Sequence, residues 1–191
     1  MNIKALAGLA LLAATLHAAP VLAQSAAKLV GAQSEVTFVT KQMGVPVDGR
    51  FKKFDAQINF DPKKPEAGSV AFSIDTGSAS LGVPESDAEM PKDIWFNVAK
   101  FPQATFKSTA IKGLGNGKFE VTGKLDIKGN ARDVVVPVQI TQSGGNSTAT
   151  GSFLIKRLDF KIGEAEWTDT TVVANDVTVK FKLALTGLAP L

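Results

Sequence analysis

The chain has 191 residues, with 21 Lys+Arg against 18 Asp+Glu and a single His, for a formal charge of +3. It has no Cys and no Tyr, which excludes a disulfide framework, a thiolate nucleophile, a Cys/His zinc site and a tyrosine acid. Charge is nearly balanced and its basic groupings are pairs such as Lys52-Lys53, Lys63-Lys64 and Lys156-Arg157, so there is no electrostatic footprint for nucleic acid.

Residues 1–23 read as a secretory signal peptide. Lys4 supplies the positive start, Ala5 to Leu16 is an uncharged run of 12, and Val21-Leu22-Ala23 places small residues at a cleavage site before Gln24, with Ala19 as an alternative. As a helix that run of 12 rises only about 18 Å, short of the roughly 30 Å of a hydrocarbon core. Removing residues 1–23 from 191 leaves 168, and Lys+Arg falls from 21 to 20 against 18 acids, a charge of +2. His17 leaves with the leader. The mature chain, residues 24–191, is therefore expected to be exported to the periplasm, without lipoprotein acylation at a cysteine, and stabilised by packing. Ser25-Ala26-Ala27-Lys28 has the spacing of a Ser-Lys nucleophile motif. Its position next to the mature terminus predicts a frayed end instead.

From Ser34 onward the dominant period is two, the mark of strands with distinct faces. Val36 and Phe38 alternate, then Phe54, Ala56, Ile58 and Phe60, then Val70, Phe72 and Ile74. Residues 85–99 lack that rhythm, and their Glu85, Glu89, Asp93 and Ile94-Trp95-Phe96 suit one or two irregular helical turns ending before Phe101-Pro102. Alternation resumes over 104–111, over Phe119 to Ile127, over Val134 to Ile140 and over Ala149 to Ile155. A last strand follows the irregular stretch 159–174 and carries Val177, Val179, Phe181, Leu183 and Leu185. Gly113 to Gly117, Lys128-Gly129-Asn130 and Ser143-Gly144-Gly145-Asn146 are hairpin turns by composition.

About eight strands joined by short turns predict an antiparallel all-β domain that removes its edges by closing into a barrel. A β-sandwich of equal strand count is the competitor, since periodicity specifies faces and not closure. A transmembrane barrel fits less well, because the polar face carries many Lys and Asp and the strands lack aromatic girdles.

Motifs that suggest chemistry have plainer readings. Gly113-Leu114-Gly115-Asn116-Gly117-Lys118 resembles a phosphate loop only superficially, because Phe119 follows the Lys and strands flank it on both sides. Glu85 with Glu89, and Glu164 with Glu166, share faces but have no local feature to push their pKa values apart. Asn146-Ser147-Thr148 is a sequon explained by a turn. The informative excess is phenylalanine, 12 residues, all after the leader, with Trp95 and Trp167 beside them. An eight-stranded barrel is of a size to be filled by side chains or to hold one small ligand.

Taken in order, Ser34-Glu35-Val36-Thr37-Phe38, Gly49-Arg50-Phe51, Ile58-Asn59-Phe60-Asp61, Trp95-Phe96-Asn97 with Phe101-Pro102-Gln103-Ala104-Thr105-Phe106, Gly123 to Gly129, and Arg157-Leu158-Asp159-Phe160 resemble the motifs of the YceI-like family. The resemblance implies an exported, lipocalin-like eight-stranded antiparallel barrel with a short inserted helix, binding a polyisoprenoid, an isoprenoid quinone or another long-chain lipid, with no catalysis and no cofactor. Lys161 stands where the family has Gly, with Gly163 two residues later. By residue, Trp95, Phe96 and Phe101 match an aromatic wall or cap segment, and Phe106 and Phe119 match strand positions that could face a lipid tail. Phe38, Phe54, Phe72, Phe153 and Phe181 are further lining candidates from alternation, as are Ile58 and Val136. Arg157 and Asp159 match a charged motif, read either as an ion pair within the protein or as head-group contacts. Expected partners are thus a long-chain lipid and, transiently, a membrane, in a monomer or homodimer. The alternatives are an envelope interaction module with a filled core, and a hydrolase using Glu164 or Asp159.

Overall fold

The computed structural model describes residues 26–191, so the predicted leader and Ser25 lie outside the described residues. The first half of the chain forms strands β1 (Ala26–Leu29), β2 (Glu35–Gln42), β3 (Val45–Phe51), β4 (Phe54–Asn59), β5 (Ser69–Asp75) and β6 (Ala79–Ser80), with apolar alternation clearest in β2, β4 and β5. After helix α1 (Pro84–Glu89) come β7 (Gln103–Gly115), β8 (Lys118–Ile127), β9 (Asn130–Ser143), β10 (Asn146–Lys156) and β11 (Asp176–Thr186). Every ladder is antiparallel.

The strand order is β1-β4-β5-β7-β8-β9-β10-β11, and β11 pairs back onto β1, closing the ring. The strands β2, β3 and β6 continue from the far edge of β11. They extend three of the staves: β1 runs into β2 through a 3-10 turn at Gly31–Gln33, β3 into β4 through Lys52-Lys53, and β5 into β6 through a second 3-10 turn at Thr76–Ser78. The result is the predicted closed barrel of 8 staves. Closure pairs every stave with two neighbours and removes the exposed edges that a sandwich would keep.

Three strands escape the sequence pattern: β1, β3 and the two-residue β6. The expected frayed terminus is instead β1, which pairs Lys28 and Leu29 with β11 and Ala26 and Ala27 with β4, and Ala27 is buried. Its Ala-Ala-Lys-Leu composition has no β-branched or aromatic residue, so tertiary pairing makes it a strand. The strand β3 contains Pro46, Asp48 and Gly49, all poor strand formers, yet it holds a continuous ladder to β2 from Val36↔Phe51 to Gln42↔Val45.

The predicted helical segment is real but shorter. Pro84 occupies the first turn of α1, where its missing N–H costs nothing, and residues 90–100 continue as turns. The Asp87 carboxylate ties α1 to β6 by accepting from Ser80 Oγ at 2.6 Å and from the Leu81 amide at 2.6 Å. The predicted hairpin turns are present, with Lys128 and Gly129 both left-handed at φ 55° and 72°. Lys161 is also left-handed, at φ 56°, so the backbone there keeps the conformation glycine would favour.

A register shift between Ser108 and Ala110 breaks the β7–β8 ladder. The extra residue reverses side-chain parity: Ala104 and Phe106 face inward before it, and Ile111 does after it. Buried apolar residues then form two clusters. One surrounds the middle and the β1 end of the barrel, including Val36, Ile58, Phe119 and Leu185. The other packs Met90, Trp95, Phe96, Phe160, Ile162 and Val173 into the end that carries α1.

Candidate functional site

The inward faces do not fill the barrel. A cavity of about 160 Å³, counted as space open to the centre of a water-sized sphere, runs through the first cluster. It extends along β8 from Phe119 to Leu125 and along β11 from Val179 to Leu185, six residue steps or about 20 Å of strand. Every lining residue is apolar except Thr105. At the α1 end it meets the aromatic plug, where Trp95 and Trp167 lie 5.6 Å apart and Phe51 and Phe96 lie 5.9 Å apart. At the opposite end Phe60 and Phe119 meet edge to face at 5.1 Å, beside Leu188 of the C-terminal tail.

The structure brings Phe72, Phe106, Phe119, Phe153 and Phe181 together around this cavity, with Ile58 and Val136 among them. Several of these rings are only partly buried although they point inward, because part of their surface faces the empty interior. The other predicted lining residues lie elsewhere. Phe38 is buried against Phe51 at 5.3 Å. Phe54 stacks on Phe72 at 5.8 Å on the inner face, packed against the first cluster, where β4 begins and a surface cleft borders it. Trp95 and Phe96 belong to the plug. The Trp95 indole N–H is buried without an acceptor. Phe101 packs against Gly129, with Lys100 Nζ over its ring. Phe60 and the aliphatic lining from Val70, Ile140, Leu183 and Leu185 were legible as alternants, but alternation carries no inward or outward label.

Arg157 is 2% exposed and its guanidinium is fully engaged by backbone carbonyls. Nε donates to Ala174 O at 3.0 Å, Nη1 to Ile162 O and Gly163 O at 2.9 and 3.0 Å, and Nη2 to Trp167 O and Val173 O at 2.6 and 2.7 Å. Burial lowers its pKa from the ordinary arginine value. A guanidinium has five N–H donors, so none remains for a ligand head group. Asp159 is exposed, and no Arg157–Asp159 ion pair occurs among the described residues. The expected ion pair is absent and Arg157 is not available to a head group: its five hydrogen bonds instead hold residues 162–174 against the plug. Lys128 adds a second tether, its buried Nζ donating to Lys161 O at 2.7 Å and to Glu164 Oε2 at 2.9 Å. The lone Arg in a turn-rich stretch was visible in the sequence; its acceptors, spread over 13 residues of backbone from 162 to 174, were not.

Glu164 is thus held in an ion pair. Among the described residues no group of three or more His, Cys, Asp or Glu could hold a metal ion. What the arrangement can do is enclose an apolar chain, since the cavity surface presents no polar atom to a guest. Burying an unpaired polar group costs about 4–8 kcal/mol on a hydrocarbon scale.

A closed antiparallel barrel of 8 strands around an elongated apolar cavity defines a lipocalin-like architecture. A YceI-like domain is matched over residues 28–185, and the chain belongs to the YceI-like family. The crystal structure of BcnA from Burkholderia cenocepacia superposes with a TM-score of 0.80 at 45% identity, covering 82% of this chain and 99% of that one. A polyisoprenoid-binding domain from Saccharophagus degradans, implicated in plant cell wall breakdown, shares the fold with a TM-score of 0.69 at 23% identity, over 85% of this chain and 99% of its own. Among sequences, a UPF0312 protein of Azotobacter vinelandii is 34% identical over 143 residues, 74% of each chain. UPF0312 proteins of Vibrio cholerae are 32% identical over 115 residues, and there the match spans 60% of this chain and 61% of theirs.

Proposed function

We propose that the protein is an exported carrier or sequestering protein that holds the tail of a polyisoprenoid, an isoprenoid quinone or another long-chain lipid inside its barrel, without catalysing a reaction. The observation that carries this reading is the cavity: an elongated space of about 160 Å³ whose only polar lining residue is Thr105. Each methylene moved from water into it contributes roughly 0.8 kcal/mol before the cost of association, so affinity accumulates with chain length. The same space disfavours an interaction module with a filled core. Fold kinship with a polyisoprenoid-binding domain and the leader read over residues 1–23 point in the same direction.

Native mass spectrometry of protein purified from its exported form, followed by solvent extraction, tests the reading. A stoichiometric long-chain lipid is expected. Repeated preparations that carry none and take up none from detergent solution would overturn it.

A further inference from the structure

The barrel wall is not continuously paired. The β1–β4 ladder consists of Ala26↔Asn59 and Ala27↔Ile58, and the β2–β3 ladder begins at Val36↔Phe51. Between them residues 28–35 face residues 52–57 with no ladder pair, because both staves break at this level, one at Gly31–Gln33 and the other at Lys52-Lys53. A solvent-open cleft of about 720 Å³ occupies this seam. Val36 lines both this cleft and the internal cavity. Phe54 lines the cleft and stacks on Phe72, which lines the cavity. The septum between the two spaces is therefore one valine and one stacked aromatic pair.

The lip of the cleft is cationic. Arg50, Lys52 and Lys53 line it against the single carboxylate of Glu35. Lys53 makes only a long, exposed pair with Asp75 at 3.9 Å, Lys52 sits in the field of Asp87, and Arg50 forms no ion pair among the described residues. We infer that this seam is a side portal of the barrel: a lipid tail passes between the broken staves past Val36 and Phe54, and an anionic head group rests outside on Arg50, Lys52 and Lys53. The inference rests on the lipid-binding reading above. It answers what that reading leaves open, since a wholly apolar cavity surface excludes the head and the head must be met at the surface. Opening the seam breaks no ladder pair between residues 28–35 and 52–57.

The chain has no cysteine, so a single introduced thiol is unique. A bulky maleimide adduct on Lys52→Cys would sit in the cleft, and the same adduct on Ser152→Cys, exposed on β10, serves as the control. The readout is the rate at which each protein takes up and releases a conjugated-tetraene fatty acid. Exchange is expected to slow tenfold or more, on the order of a 1.4 kcal/mol barrier, when Lys52→Cys carries the bulky adduct in place of a small methylthio cap, with no such difference between the two capped forms of Ser152→Cys. Equal rates for both adducts would overturn the portal while leaving lipid binding intact. Failure of every form, including the unlabelled protein, to take up the probe would overturn lipid binding and the portal with it. In Arg50→Gln/Lys53→Gln, affinity for the fatty acid should fall about 2- to 5-fold, the worth of exposed ion pairs, with affinity for the corresponding long-chain alcohol unchanged. An equal effect on both probes would overturn the head-group assignment.

Discussion

Gly151 of β10 lies directly opposite Phe181 of β11, and a Cβ on Gly151 would sit 2.3 Å from the Phe181 ring and 2.5 Å from the Pro137 carbonyl oxygen. The arrangement recurs. Gly49 pairs with Phe38, whose ring would be 2.1 Å from an added Cβ. At Gly123 a Cβ would meet the Phe106 ring at 2.5 Å and Lys107 O at 2.4 Å. In each case a ring from one strand lies over a neighbouring glycine, so the aromatic bulk spreads along the wall instead of crossing the barrel. Two of these rings, Phe106 and Phe181, line the cavity.

Gly151→Ala should therefore destabilise the fold and narrow the cavity together. Phe181 can swing inward, but the Pro137 carbonyl cannot yield without moving β9. A loss of about 1–3 kcal/mol in urea unfolding is expected, the usual range for overpacking, with reduced lipid retention. An unchanged midpoint would show that the ring and β9 accommodate the methyl freely.

Arg157→Lys keeps a positive charge but offers three donors without the planar fork. At least two of the carbonyls now served by Arg157 lose their partner in a buried site. The expected cost is on the order of 3 kcal/mol, or about 6–12 °C in Tm, with a change in tryptophan fluorescence because Trp167 O is one of the acceptors. A Tm within about 2 °C of wild type would mean that water replaces the guanidinium.

Phe106→Asp or Phe119→Asp places a carboxylate against the tail and should abolish lipid retention in the folded protein. Val121→Phe tests the same space without charge. Val121 lines the cavity, so the added ring should displace lipid while costing no more than about 1–3 kcal/mol of stability. Full lipid occupancy in all of these folded variants would place the lipid elsewhere.

The Ser80 hydroxyl, then the Leu81 amide, hold the Asp87 carboxyl below its ordinary value of 3.8. A depressed folded-state value means the contribution is complete above that ordinary value and is lost as pH falls through the lower, folded one. Acid titration of stability should consequently show a shallower loss below pH 3.8 in Ser80→Ala than in wild type, with the two curves parallel near neutrality. Curves parallel throughout the acid range would remove this hydrogen bond as the cause.

Much of the barrel was legible because its strands bury one face: Phe54 to Phe60, Phe119 to Ile127 and Val177 to Leu185 each carry the period of two. The strands β1 and β3 were not, since Ala26–Leu29 and a segment containing Pro46 and Gly49 are made strands by their neighbours. The candidate site was legible in kind, as a Phe-rich interior without reactive groups, and only partly in place. Alternation could not tell that Phe72 lines the cavity while Phe54, stacked on it from the same face, stands at its edge beside the surface cleft.

What the sequence determined by itself is the chemistry available: no thiol, no phenol, a histidine confined to the predicted leader, and 12 phenylalanines on alternating strands. Those are properties of composition and local period, and they need no knowledge of which strands meet. Tertiary structure alone decided that β11 pairs back onto β1, that a bulge at Ser108/Ala110 turns Ile111 inward, and that Arg157 is spent on backbone carbonyls. Closure, parity after a bulge and the partners of a buried cation all depend on residues far apart in the chain, and pairing energies between distant segments leave no periodic trace in either segment.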